Sequence, residues 1–402
     1  MKQIGFKDYL LMVVLIFFSG SPLVFFVFGK LANVYMSLIV LMVTGLGIAI
    51  YNNFYALYLR VTMVLLGIFL LQFASLGYVS WLGAFNYFVL IWLGGLVLCY
   101  FSERFAEVFF DVLFHFCYIS LIFFVFVTLL GVNLPHIDMG NGQYNYLIYN
   151  FNSLLIARRN GGLFWEPGAF AGIITLCLAL NFNNLQILWK DHKVKLIVMV
   201  VTLLTTQSTG GYLIFFVILI FYLIGSRNRF YAMLFLPLLI VVGLYLYGEA
   251  DFLSSKISDQ TGEASQQRVG EYSNNRLGSI IFDLHYISKH PFIGNGMSEK
   301  TRYADDPDFI VDASQVGSGN SFSGYMASMG VFFVIGYFVL LYSAFAKSSR
   351  IFAILILIVV ILNMQDEQWF NYPIYIGLPF IGFKTQKLKD LKPVNAGKEV
   401  MA

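Results

Sequence analysis

Long apolar runs dominate the chain and restrict it to folds that a lipid bilayer can solvate. Of the 402 residues, 59% are hydrophobic and only 12% are charged, whereas roughly a quarter of the residues in an ordinary soluble domain are charged. A helix needs roughly 20 apolar residues to cross the hydrocarbon of a membrane, and runs near that length recur along the sequence. We therefore expect an all-α polytopic membrane protein with a single transmembrane domain over residues 1–402.

Helical-length apolar runs predict about twelve transmembrane helices. Their approximate bounds are Tyr9–Phe28, Leu31–Tyr51, Leu59–Val79, Ala84–Phe101, Asp111–Gly131, Pro167–Phe182, Leu196–Thr209, Tyr212–Ile224, Phe230–Tyr247, Phe322–Phe345, Ile351–Met364 and Phe370–Phe383. Residues 19–22 interrupt the first run and predict a kink, whose freed backbone groups must be satisfied by neighbouring helices.

Positive charge falls almost entirely on one side of these crossings. Short cytoplasmic loops retain Lys and Arg, and with both termini in the cytoplasm only Lys30 appears in a short outer loop. The net charge of +3 therefore follows from topology, and no basic patch indicates binding to nucleic acid. Ionisable residues are scarce within the spans, which weighs against a pump or symporter. We expect a multi-pass membrane protein with both termini in the cytoplasm.

Two long polar loops, about 132–165 and 248–321, fall on the outer face. Loops longer than about 15 residues are usually functional or disordered, so the working surface should face outward. No group of His, Cys, Asp or Glu has the spacing of a metal site. The acidic stretch at 305–312 lacks the calcium-loop pattern and is better explained as a solvated loop.

Arg158 and Arg159 end the first outer loop, just before Glu166 and Pro167 open a predicted helix. Guanidinium groups and free N–H groups at a helix N-terminus both favour an anion such as a diphosphate. In the alternative, the arginines extend to lipid headgroups and Glu166 only stabilises the helix dipole.

The second outer loop contains an amphipathic segment that should form a helix on the membrane surface. Arg276, Asp283 and His290 lie seven residues apart, in a row along one rim of its apolar arc. This row could meet a substrate headgroup, but a solvated helix face is an alternative that suits Asp283 at least as well. The Pro291–Gly296 segment could cradle phosphate, although we favour a simple turn. Residues 207–211 form a tight outer turn that could line a polar pocket.

Three separated motifs follow one another along the outer segments. They are Arg159, Gly162, Phe164, Glu166 and Pro167 (RxxGxF entering a helix), Pro291, Gly294 and Gly296 (PxxGxG), and Asn320 followed by Gly330. In this order and location they resemble the O-antigen polymerase and ligase superfamily of bacterial membrane glycosyltransferases. The resemblance extends over about 150–330 and implies a GT-C-like fold. It also implies a bacterial inner (cytoplasmic) membrane, with the two long outer loops and the active site facing the periplasm.

A single position favours one branch of that superfamily. Ligases, which attach finished polysaccharide to the lipid A core, carry His immediately before the motif Asn, whereas this chain has Gly319. The resemblance is therefore closer to the O-antigen polymerases (Wzy-type). It implies that undecaprenyl-diphosphate-linked repeat units are joined into O-antigen or a related surface polysaccharide. Implied partners are these lipid-linked glycans, membrane lipids, a chain-length regulator and a flippase.

The resemblance also implies roles for individual residues. Arg158 or Arg159, together with Arg276, would neutralise charge on the leaving diphosphate without a cofactor. Glu166 is the first choice, and His290 the second, for the base that takes the proton from the attacking sugar hydroxyl. Transfer is expected to be metal-independent and to invert the anomeric carbon.

The sequence leaves open some choices of site residue and of function. Asn320 is a candidate for substrate binding, and the choice of Arg276 over Arg268 is a judgement. An O-antigen ligase is the first alternative function. A non-enzymatic flippase or transporter of lipid-linked saccharide and a scaffold protein are the others.

Overall fold

The computed structural model describes residues 4–22, 55–138, 143–146, 149–152, 159–225, 276–302, 320–364 and 372–381. These residues are mostly helical. The predicted spans Leu31–Tyr51 and Phe230–Tyr247 lie outside the described residues, as do Arg158, Arg268 and the acidic stretch at 305–312.

Helices follow one another through most of the described residues. The α-helices are α1 (Phe6–Phe18), α2 (Tyr55–Leu76), α3 (Trp81–Phe101), α4 (Phe105–Phe124), α5 (Pro167–Leu180), α6 (Leu185–Asp191), α7 (Lys193–Thr205), α8 (Thr209–Gly225), α9 (Arg276–Lys289), α10 (Glu299–Arg302), α11 (Ser321–Met329), α12 (Val331–Ala346), α13 (Arg350–Asn363) and α14 (Pro373–Ile376). A π-helical turn, Val125–Leu129, extends α4, and 3-10 turns occupy Ser102–Arg104, Phe182–Asn184 and Leu378–Phe380. The strands are β1 (Ile137–Asp138), β2 (Gln143–Asn145), β3 (Asn150–Asn152) and β4 (Arg159–Gly162).

Apolar length and lipid-facing surface both suggest a membrane protein. Two helical runs, Leu59–Leu76 and Trp81–Leu129, are long and apolar enough to cross a membrane, and α5 with the following segment makes a third if their 61° bend is one span. Helix α2 leaves many large apolar side chains exposed, including Leu59, Met63, Val64, Leu70, Leu71 and Phe73. A soluble surface rarely carries so continuous an apolar patch. The prediction of twelve transmembrane helices is not confirmed.

Two predicted spans are not single helices. The run Phe322–Phe345 is divided at Gly330 into α11 and α12, because that glycine adopts φ 84° where the chain passes close to the carbonyl of Phe292. Within Phe370–Phe383 the described residues form only α14 and a 3-10 turn. Proline cannot donate the backbone bond of a helix interior, and Pro379 falls where the helix would have continued.

The prediction of an all-α fold was incomplete, because the first outer loop contains a small sheet. Its strands pair antiparallel in the order β1-β2-β3-β4. Tyr149, beside this sheet, stacks on Phe123 near the end of α4 with ring centroids 5.5 Å apart. Strands of two to four residues are too short to produce the alternating pattern by which a strand is recognised.

Helix α5 forms the centre of the bundle. Every residue of α5 except Gly168 is buried, and the helix packs against α4, α7, α8 and α13. Small residues permit these close approaches. A Cβ at Gly172 would lie 2.7 Å from Oδ1 of Asn363 on α13, and a Cβ at Gly211 on α8 would lie 2.6 Å from Cβ of Ala171.

The predicted kink in the first run is the end of α1. The backbone N–H of Trp165 donates to the carbonyl of Gly20 (3.1 Å), and the N–H of Ile374 donates to Oγ of Ser19 (3.3 Å). The freed backbone carbonyl of Gly20 is therefore satisfied by a neighbouring segment, as the sequence predicted.

The bundle has two chemically different ends. At one, the Asp8 end, ion pairs join Arg104 to Asp8 (2.8 Å) and Lys195 to Asp111 (2.7 Å). At the other, the sheet end, β4 contacts the last turn of α7 through Asn160. Arg104 and Lys195, which the charge distribution of the sequence predicts to be cytoplasmic, thus lie at the same end of the bundle. Strand β4 lies at the opposite end.

Gly330→Ala should destabilise the protein by about 2 kcal/mol or more, because the left-handed backbone and the overlap with the Phe292 carbonyl both disfavour a Cβ. Gly336→Ala is the matched control, since nothing lies within 4 Å of a Cβ there. Thermal unfolding of the purified protein, followed by the loss of monodisperse material, should show a lower midpoint for the first variant only. Equal midpoints would contradict the close contact.

Candidate functional site

Asn160 fixes the strand that carries Arg159. It is fully buried, and its Nδ2 donates to Oγ1 of Thr205 (2.9 Å) and to Oγ of Ser120 (3.4 Å). Its Oδ1 accepts from the backbone N–H of Gly162 (2.9 Å). The position of Arg159 is therefore set by bonds to two helices, and sequence reasoning did not single out Asn160.

The glycine and phenylalanine of the first motif shape the turn into α5. Gly162 has φ 55°, and a Cβ there would overlap the ring of Phe170. Phe164 stacks on the same ring, with centroids 5.4 Å apart. Both residues therefore have packing roles, and Arg159 supplies the charge of this motif.

Arg159 and Arg276 approach the same short turn, Thr206–Gly211. The Nε of Arg159 donates to the carbonyl of Thr206 at 3.2 Å. Arg276 lines a small cavity, here called the notch, whose other walls are Gly168, Ser208, Gly210, Gly211, Ile214, Leu362 and Asn363. The notch has about 10 Å³ of space, roughly the room of one water molecule, so a larger anion would sit at its mouth.

Two helix N-termini meet at the notch. Helix α5 begins one residue before Gly168, and α8 begins one residue before Gly210. The first N–H groups of a helix lack intrahelical partners and carry the positive end of its dipole. Glu166 occupies the N-cap position of α5, is exposed, and makes no capping bond with its side chain. Glu166 therefore stands at the start of one of the two helices that meet at the notch, with its side chain exposed.

His290 lies far from this group. Helix α9 has 14 residues between Arg276 and Lys289, and a rise of 1.5 Å per residue separates its ends by about 20 Å. The structure thus brings Arg159 and Arg276 to one turn, places Glu166 at the start of α5, whose second residue lines the notch, and leaves His290 elsewhere.

The interpretation of Asp283 as part of a solvated face was wrong. Asp283 is completely buried, accepts from Oγ of Ser323 (2.6 Å) and forms an ion pair with Arg302. A buried carboxylate needs such partners, but the spacing along α9 did not reveal them. Leu277 and Leu284, on the predicted apolar arc, are exposed, as a helix at a membrane surface would require.

The second and third motifs hold each other. Backbone N–H groups of Asn295 and Gly296 donate to the carbonyls of Ala327 and Ser328 (2.8 and 2.9 Å). In the other direction, the N–H of Val331 donates to the carbonyl of Pro291 (2.8 Å). The favoured explanation of Pro291–Gly296 as a turn is confirmed, because the backbone N–H groups of Gly294, Asn295 and Gly296 are already used within the protein. We call this contact the interlock.

Two amide side chains complete the interlock. Gln72 donates from Nε2 to the carbonyls of Ile293 (2.7 Å) and Ser328 (2.8 Å). It was missed, although a buried amide within an apolar span is itself a signal. Asn320 caps α11 by accepting from the N–H of Ser323 (3.1 Å), so its visible role is structural.

Other groups that could do chemistry are limited among the described residues. No three His, Cys, Asp or Glu side chains there lie close enough to hold a metal ion. Burial raises the pKa of the Tyr146 and Tyr149 phenols beside the sheet. Both phenols therefore stay neutral at physiological pH.

Comparison with known proteins supports a role in polysaccharide assembly. Residues 195–338 match a family model described as O-antigen ligase. This region is similar to O-antigen ligases. It contains the Thr206–Gly211 turn, Arg276 and much of the interlock, but not Arg159 or Glu166. A search of curated proteins found no significant match. The similarity supports the O-antigen ligase and polymerase superfamily, whose members are glycosyltransferase-like enzymes, and does not distinguish the two activities.

Asp283→Leu should destabilise the protein by about 3 kcal/mol, because it leaves the Arg302 guanidinium without its buried ion-pair partner. The double variant Asp283→Leu/Arg302→Met should regain a large part of that loss. Glu103→Leu, at an exposed carboxylate, is the control and should change stability little. A double-mutant cycle of unfolding midpoints measures the coupling, and additive effects would exclude it.

Proposed function

We propose that the chain is a polysaccharide polymerase that joins undecaprenyl-diphosphate-linked repeat units at the sheet end of the bundle. The observation that supports this most is the approach of Arg159 and Arg276 to one turn, Thr206–Gly211, where α5 and α8 also begin. The family similarity over 195–338 supports the general class of reaction.

The two arginines and the two helix N-termini together suit a diphosphate. Arginine forks and helix N-terminal N–H groups both bind phosphate oxygens, and a diphosphate offers several such oxygens on two linked phosphates. The notch itself is too small to enclose it. The diphosphate would therefore lie across the mouth, with Arg159 on one side and Arg276 on the other.

The transfer needs only positioned charge and one base. An acceptor sugar hydroxyl attacks the anomeric carbon of the donor, the bond from that carbon to the diphosphate oxygen breaks, and the anomeric configuration inverts. Arg159 and Arg276 neutralise the charge that develops on the departing diphosphate. Glu166, exposed beside the mouth, takes the hydroxyl proton. His290 is left out because α9 holds it far away, and Asn320 acts as a positioning residue.

Polymerase is favoured over ligase by Gly319, which stands where the ligases carry histidine. A ligase would instead transfer polymer to lipid A core, and a flippase would move the lipid-linked saccharide without forming a bond. One reaction containing the purified protein, lipid-linked repeats and lipid A core separates these functions. Longer lipid-linked chains indicate a polymerase, polymer on the core indicates a ligase, and unchanged repeats would refute both enzymatic functions.

Arg159→Ala and Arg276→Ala should each reduce the rate of chain growth by about 10²-fold, because a preorganised donor to the leaving group is lost. Arg350→Ala is the control, an exposed arginine that begins α13 at the end away from the notch. Initial rates of polymer formation measure the effect. Normal growth by either variant would remove that arginine from the mechanism.

Chain growth should be insensitive to chelation, because arginine and helix N-termini carry the charge stabilisation in this scheme. Polymerisation by the purified protein is measured with and without EDTA, and then with Mg²⁺ restored. A rate that falls on chelation and recovers with Mg²⁺ would contradict a metal-independent transfer.

A further inference from the structure

Gln207, in the turn beside the notch, has an unusual backbone. Its φ is 48°, in the left-handed region, and among the described residues only Ser102 shares this feature without being glycine. Glycine or asparagine normally occupies such a position after a helix. A glutamine held there suggests that its side chain has a use which outweighs the backbone strain.

The side chains of this turn carry polar atoms without partners. Oε1 of Gln207 and Oγ1 of Thr209 are buried, and neither has a hydrogen-bond partner. Ser208, between them, lines the notch with Arg276, and the carbonyl of Thr206 before them accepts from Arg159. Two unsatisfied oxygens thus flank the place where both arginines converge, although a buried polar atom is normally paired.

The polarity of these atoms identifies what they can bind. An amide oxygen only accepts hydrogen bonds, so Oε1 of Gln207 cannot bind the oxygens of a diphosphate, which are acceptors too. It requires a donor, and in a lipid-linked saccharide the nearest donors are on the sugar that carries the diphosphate. The substituent at C2, next to the anomeric carbon, is the one closest to the phosphate.

We propose that Gln207, assisted by Thr209, accepts a hydrogen bond from the hydroxyl or amide N–H at C2 of the donor sugar. This inference rests on the proposed function. Gln207 is then a specificity-determining residue, because a sugar without this donor leaves a buried oxygen unpaired. Sites built to bind a substrate hydroxyl reject analogues that lack it.

The test compares lipid-linked repeats that keep or lack the donor at C2 of the first sugar. The discrimination is measured as kcat/KM for the intact substrate divided by kcat/KM for the 2-deoxy substrate. This ratio should be at least tenfold larger in wild type than in Gln207→Met. The deoxy change alters intrinsic reactivity equally in both proteins, so only the ratio between them reports on Gln207. Gln186→Met, at an exposed glutamine of α6, should keep the wild-type ratio.

A second variant separates recognition from folding. Glycine suits the left-handed backbone, so Gln207→Gly should unfold at the wild-type temperature or higher. It should nevertheless lose the discrimination between the intact and the 2-deoxy substrate. Gln207→Asn keeps an amide and should recover part of it. If Gln207→Met discriminates as wild type does, Gln207 does not contact the sugar and the proposal is overturned. If wild type itself forms no glycosidic bond, the proposed function fails and this inference falls with it.

Discussion

Backbone polar groups at helix breaks must be satisfied within the protein when the surroundings are lipid, and the sheet end is organised by this constraint. Buried amide side chains fulfil it repeatedly. Asn150 donates to the carbonyls of Phe164 and Trp165 (3.1 and 2.7 Å). Asn160 joins β4 to α7, and Asn295 donates to the carbonyls of Tyr286 and Ala327. An amide can donate and accept at once without charge, so it suits a buried break better than an ion does.

The candidate site lies where this satisfaction is incomplete. Many polar groups at the sheet end have partners, but the turn Thr206–Gly211 retains two buried oxygens without partners, and Oδ1 of Asn150 is a further one in the sheet. The N-termini of α5 and α8 also face the notch there. Departures from the packing rules of a protein tend to coincide with its functional sites. Asn160 and the Thr206 carbonyl thus fix Arg159, while the adjoining turn keeps two oxygens that can still accept hydrogen bonds.

The sequence predicted features that depend on length and composition, and missed those that depend on single contacts. Apolar runs identified α2, α3 and α5 because a bilayer demands helices of a certain length. The break at Gly330 was missed because one glycine hardly changes the hydropathy of a long window. The burial of Asp283 was missed because its partner Arg302 follows a turn that breaks the helical spacing. The grouping of Arg159 with Arg276 was inferred from motif order, and both approach one turn.

The motif glycines explain why the family similarity does not separate polymerase from ligase. Gly294 and Gly330, both within the matched region, are positions where φ is positive and a Cβ would collide with a neighbouring segment. They fix the scaffold that presents the arginines, not the contacts with an acceptor. Both activities would leave the same diphosphate, so both need this scaffold. The acceptor differs, a lipid-linked repeat or a lipid A core, and its recognition belongs to residues outside the motif glycines. The selective side chains should therefore be sought around the mouth of the notch.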